Sequence, residues 1–280
     1  MSAAWPAERE IRGWKELFDQ YQRIVERPGR WVFRGQKASD TTLMTTLERA
    51  VGEFYPDAPR KSFAIESRLL QEFRRRAHQY LESLPPEYDT LDWLALMRHY
   101  GAPTRLLDWT NSFFVAAYFA LKESADAYAI LALDARWCRD RSNAVLGERP
   151  GKDVFQQDGS ERQARKFDRF FRPPRPKPFV YPLNPFRLNE RLTTQQAIFL
   201  CPGDISRTFQ ENLDALRRRG DAADRYIRFR IPKKARREIL QHLYRMNMDG
   251  RTLTPGLEGF ASSLNTMIAL PWISREGTDA

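Results

Sequence analysis

Apolar side chains recur at three- and four-residue spacing through residues 8–26: Ile11, Trp14, Leu17, Phe18, Tyr21, Ile24 and Val25. That spacing gathers them on one face of a helix, and Pro28-Gly29 ends it. Trp31-Val32-Phe33 then reads as a short buried strand that delivers Arg34 at its end, with Gly35 breaking the pattern. A long helix is predicted over 61–84, with Phe63, Leu69, Leu70, Phe73, Tyr80 and Leu81 inward and Pro85-Pro86 as its stop. Another covers 87–100 through Leu91, Leu94, Met97 and Tyr100. Gly101 is its expected C-cap, Pro103 prevents continuation, and His99 falls in its last turn.

Residues 111–123 are apolar nearly all round, which predicts a fully buried helix capped by Asp108 or Thr110. Tyr128–Leu133 reads as a strand. A polar stretch follows, and its Arg172-Pro173-Pro174-Arg175-Pro176-Lys177-Pro178 segment is too rich in proline for helix. Sheet resumes at Phe179-Val180-Tyr181, and Ala197–Leu200 is a short central strand closed by Cys201-Pro202-Gly203. After a helix at 206–219, Tyr226–Ile231 alternates as a half-buried strand does, and helices at 233–246 and 257–268 close the chain.

Strands and helices do not alternate regularly, so a Rossmann layout is not expected. The expected class is α+β: a single mixed domain with a small central sheet flanked by several helices. The expected divisions are an N-terminal helix at 1–29, a main domain at 30–262 and a C-terminal tail at 263–280.

Two polar clusters stand out against this apolar background. They are Trp31-Val32-Phe33-Arg34-Gly35-Gln36 and the ten residues His99 to Asp108. Burying a charge without a partner is costly, so such clusters are paired internally or aimed at a ligand. Arg34 either grips a phosphate bidentately or pairs with a carboxylate such as Asp108. His99 and Arg105 can bind nucleotide and Thr104 offers a hydroxyl; His99 can equally cap its helix. Asp108 can orient a ribose, pair with Arg34 or cap the next helix.

These residues also carry a resemblance. Phe33-Arg34-Gly35 with Gln36, His99-Tyr100-Gly101, and Pro103-Thr104-Arg105-Leu106-Leu107-Asp108-Trp109-Thr110 are similar to the FRG domain, named for its Phe-Arg-Gly triplet. Arg191–Phe199 and Pro255–Gly259 agree, which extends the resemblance over 30–262. One departure is Ala197, where the family usually has Gly, leaving that backbone less free. A relation of FRG domains to ADP-ribosyltransferases implies NAD as ligand and substrate, with transfer of ADP-ribose or cleavage of the nicotinamide bond. A defence or toxin role suits such an activity. On that reading Arg34, Asp108 and Gln195 are the catalytic candidates. Arg34, Gln36, His99, Thr104, Arg105 and Thr110 are the cofactor-binding ones. Gln195 stands where a transferase more often has Glu, and it equally suits a turn amide bonded to backbone. The alternative is a non-catalytic module that binds nucleotide or nucleic acid.

The charge fits an anionic ligand or nucleotide and either a nucleic-acid or a protein acceptor. The chain of 280 residues carries a net charge of +10 and has a pI of about 9.8. Residues 160–178 hold seven Lys/Arg against two acids, and 205–238 hold eleven against five. Phe167, Phe170 and Phe171, interleaved in the first, suit single-stranded nucleic acid; a solvated face is the simpler outcome. Cys138 and Cys201 form no Cys-x-x-Cys pair, and His78, His99 and His242 lie far apart, so neither a disulfide framework nor a metal is expected. No apolar run is long enough to span a bilayer and the N-terminus lacks signal-peptide character, so a cytoplasmic protein without membrane association is expected. Gly-rich phosphate loops, His-Glu-x-x-His and Gly-x-Ser-x-Gly are absent from the sequence.

Overall fold

The computed structural model describes residues 5–38, 42–56, 58–155, 160–187, 190–218 and 220–270. Its strands are β1 (Ala7–Glu10), β2 (Trp31–Lys37), β3 (Leu107–Thr110), β4 (Ala127–Asp134), β5 (Val180–Leu183), β6 (Ala197–Pro202) and β7 (Tyr226–Pro232). They form one seven-stranded sheet in the order β1-β7-β4-β2-β3-β6-β5. Only the β1–β7 pair is parallel; the other neighbours run antiparallel. The helices are α1 (Trp14–Val25), α2 (Thr46–Phe54), α3 (Ser62–Ala77), α4 (Thr90–His99), α5 (Phe113–Leu121), α6 (Ala135–Leu146), α7 (Ser160–Phe171), α8 (Glu190–Thr194), α9 (Phe209–Asp214), α10 (Arg236–Arg245), α11 (Gly250–Leu253) and α12 (Leu257–Met267). This is the α+β class that the element pattern implied.

β4 shows why both faces of the sheet are covered. Its run is apolar without alternation, so it buries both sets of side chains. Tyr128, Ile130 and Ala132 enter a core with α1, α5 and α10, joined by Phe33, Ile227, Phe229 and Ile231. Leu131 and Leu133 enter the opposite core with Val32, Leu94, Trp109, Phe171 and Phe199. α5 is buried along nearly its whole length, as its composition required.

Local pattern and structure part company where tertiary pairing intervenes. The segment read as one helix over 8–26 begins as β1, whose residues pair with Ile227–Arg230 before α1 starts at Trp14. Gly35 does not end the strand: β2 continues to Lys37 and pairs with β4 throughout. α3 stops at Ala77, beyond which His78, Gln79 and Tyr80 are exposed. Residues 107–110 are strand, so α5 takes its cap from Ser112, whose hydroxyl accepts the Val115 N–H at 3.3 Å. The polar stretch after β4 holds α6 and α7. α7 buries Phe167 and Phe171 completely, so those rings serve the core and do not stack bases.

Candidate functional site

The sheet splits in the middle. β2 pairs with β4 over seven residues and β3 with β6 over four, but β2 and β3 share one pair, Phe33 with Thr110. Beyond it the two strands diverge, and Arg34 spans the gap by donating from Nη1 to the Asp108 carbonyl at 2.7 Å. The Asp108 carboxylate turns instead to Arg98, which donates to it from Nε at 2.7 Å and Nη2 at 2.5 Å. The expected Arg34–Asp108 link therefore runs through backbone, and the ion pair belongs to Arg98.

A cleft of about 610 Å³ opens over this split, within the size range of small-molecule sites. Arg34, His99, Asp108, Thr110 and Gln195 all line it, so five of the eight sequence candidates converge. Thr110 and Gln195 are tied together: the Thr110 hydroxyl donates to the Gln195 carbonyl at 2.6 Å. The Gln195 amide donates to the Leu253 carbonyl at 2.7 Å, which fixes its side chain. The turn before β6 takes its left-handed residue at Gln196, with φ +48°, and not at Ala197. Alanine in place of the family's glycine is therefore accommodated there.

The cleft also gathers Arg98, Phe119 and Lys122, and with them Tyr100, Arg191 and Glu258, which lay within the motifs but were given no role in the site. Tyr100, at the end of the predicted helix, is exposed and meets His99 edge to face at 4.8 Å. Glu258 lies in the first turn of α12, far along the chain from the other site residues. It brings a second carboxylate, besides Asp108, to the lining of the cleft.

Burial and the Arg191 charge push His99 below its ordinary pKa of 6.5, with Glu258 opposing them. The imidazole is thus neutral at pH 7. As pH falls past 6.5 the unfolded chain takes this proton first. The stability that His99 contributes is present above that pH and is lost as pH falls through its folded value. An anion bound beside it favours the charged ring. An imidazole NMR titration is expected to show a midpoint below 6.5 that rises on adding pyrophosphate. A midpoint at or above 6.5 in the free protein contradicts this electrostatic picture.

Three candidates lie elsewhere. Arg105 is completely buried and locked to Glu66, donating from Nε to its Oε1 at 2.7 Å, and from Nη1 to the Phe171 carbonyl at 2.7 Å. Thr104 is also wholly buried and joined to α2, its carbonyl accepting from the Leu47 N–H at 3.1 Å. Gln36 sits within β2 beside Ala129 and does not line the cleft. Arg105 and Thr104 serve the frame, since their bonds run to Glu66, the Phe171 carbonyl and α2.

Both thiols are buried, and burial pushes each above the ordinary thiol range, so neither is a thiolate nucleophile at neutral pH. Much of the second basic stretch is used internally. Arg225 pairs with Asp134 at 2.6 Å, Arg217 lies 4.9 Å over the Trp5 ring, and Arg236 donates to the Leu121 carbonyl at 2.8 Å. Among the described residues no group of three or more His, Cys, Asp or Glu side chains could hold a metal ion. No helix among them is long and apolar enough to cross a membrane.

Comparison with protein-family models matches residues 29–129 to the FRG domain. That segment carries both polar motifs and is similar to the FRG domain, as those motifs led us to expect; the match does not extend to Arg191–Phe199 or Pro255–Gly259. No curated protein and no solved structure matches the chain.

Proposed function

We propose that the cleft binds NAD and breaks its bond to nicotinamide, passing ADP-ribose to water or to an acceptor. The observation that carries this reading is the meeting of Arg34, His99 and Arg191 with Asp108, Gln195 and Glu258 around one cleft. Arg191 and Lys122 suit the diphosphate, since arginine matches two phosphate oxygens at once. Tyr100 and Phe119 offer rings for the bases. In the reaction the ribose C1′–N bond breaks and its electron pair leaves on the nicotinamide nitrogen. Glu258 stabilises the oxocarbenium-like centre that remains. Neutral His99 is suited to accept the proton that the attacking hydroxyl releases. A defence or toxin role fits the consumption of NAD.

Arg34 also bridges the sheet, so Arg191→Ala is the cleaner test of binding. It is expected to weaken NAD affinity by roughly 10–100-fold, the loss of one charge-assisted contact. Glu258→Gln is expected to keep affinity within about threefold while nicotinamide release falls by roughly 100-fold, since the carboxylate acts in the transition state. Calorimetry reads the first and release of nicotinamide the second. Wild-type protein that neither binds millimolar NAD nor releases nicotinamide, with cell extract present as a source of acceptor, would falsify the reading.

A further inference from the structure

A second feature lies outside the cleft. Where α7 meets the proline-rich segment, a hollow of about 210 Å³ is ringed by Arg169, Arg175 and Lys177 and floored by Leu146, Phe170 and Phe179. No carboxylate lines it. Glu148, an acid close enough to act on Arg169, is held by Lys152 at 2.6 Å. The Arg169 guanidinium lies 5.1 Å over the Phe170 ring, which sets a cation against an aromatic side chain at the hollow. Arg162, Arg165 and Arg169 are exposed at three- and four-residue spacing on one side of α7, and Arg172 and Arg175 continue the run; Arg165 pairs with Glu161 at 2.5 Å and Arg172 with Asp168 at 3.8 Å, exposed pairs that a phosphate can displace. Successive cations are thus about 5 Å apart along the helix.

We propose that this face binds single-stranded nucleic acid, with phosphates along α7 and the proline-rich segment and one base in the hollow. Three features select that occupant. The cations suit a regularly spaced polyanion. The apolar floor and the guanidinium over Phe170 suit a planar ring, which every nucleotide carries beside its phosphate and which aspartate and glutamate side chains lack. The hollow takes a base that has left its stack, which a duplex does not offer. A bilayer is disfavoured because the apolar groups are recessed: Phe170 is 8% exposed and Phe179 fully buried. The expectation of aromatic stacking from this stretch is thereby narrowed to Phe170, since Phe167 and Phe171 face the core.

The test is fluorescence anisotropy with a labelled thymidine 12-mer and the full chain at low salt. The Arg169→Ala/Arg175→Ala double variant is expected to bind at least about tenfold more weakly. Its salt slope is expected to be shallower by about 0.7 for each phosphate that no longer meets a cation. Arg175 is exposed, so Arg175→Glu repels the strand without disturbing packing and is expected to weaken binding in the same direction. Circular dichroism melting checks the fold of each variant. The cleft variant Arg191→Ala is expected to bind the 12-mer as the wild type does, which separates this face from the cleft. The proposal is overturned if wild type does not bind at low salt, or if both variants bind like wild type. Equally tight binding of a duplex, or displacement of the strand by polyglutamate at equal charge, also overturns it.

Discussion

Gly35→Ala is expected to lower stability by several kcal/mol or prevent folding altogether. A Cβ at this position would sit 2.0 Å from the Ala116 carbonyl oxygen and 2.4 Å from the Ala120 nitrogen. Both are backbone atoms of α5, so no rotamer change relieves the clash. β2 is fixed within the sheet by seven residues of pairing with β4, and Val32 packs into the core on the opposite face, so the strand cannot retreat. Overpacking a core costs about 1–3 kcal/mol, occasionally more, and a clash with fixed backbone belongs at the upper end. That is a large share of the roughly 5–15 kcal/mol that stabilises a domain. The same shift would carry Ala116 and Phe119 away from the cleft. Urea unfolding measures the effect, and a variant within about 0.5 kcal/mol of wild type would show that α5 does not sit on the glycine as described. The triplet's glycine thus serves close packing of helix on strand, which in turn holds Arg34 at the cleft.

Glu66→Ala has the second large effect. It strands the Arg105 guanidinium, which is fully buried, with only the Phe171 carbonyl and the face of Phe63 at 5.2 Å for company. Breaking one side of a buried pair costs about 3–5 kcal/mol, mostly the penalty of the uncompensated charge. Removing both charges is far milder. Glu66→Leu/Arg105→Met is expected to recover most of the loss, short of the hydrogen bond that the Phe171 carbonyl then lacks. Comparison of urea midpoints for the single and double variants decides the matter. A double variant no more stable than Glu66→Ala would mean that Arg105 acts through its own packing and not through its charge. Since neither residue lines the cleft, the double variant is expected to keep its affinity for cleft ligands.

Much of the frame was legible from local pattern. Trp31–Phe33, Tyr128–Leu133, Ala197–Leu200 and Tyr226–Ile231 all lie in strands, because a run of apolar residues at those lengths finds burial in a sheet. The all-round apolar segment after Asn111 became α5 for the same reason. α6 and α7 were not legible. Their polar and charged residues dominate the local average, while a single stripe, including Phe167 and Phe171, does the burying. β1 escaped notice because its partner is β7, at the far end of the chain.

The motifs themselves divide along the same line. Arg34, Thr104, Arg105, Asp108 and Gln195 were expected to border one pocket because each follows an apolar run; Arg34, Asp108 and Gln195 do, while Thr104 and Arg105 are buried elsewhere. Periodicity orients a side chain relative to its own element, and that much the chain determines locally. It does not say which charge lies across the gap. Arg105 and Arg98 stand in similar company in the sequence, yet one is buried on Glu66, 39 residues away, and the other turns to Asp108 at the cleft. Glu258 reaches the same cleft from the last helix described. Those partnerships depend on strand order and on where the sheet splits. Such long-range pairings form only when the whole sheet closes, because the chain entropy of bringing distant segments together is offset by the assembled core and not by any one contact.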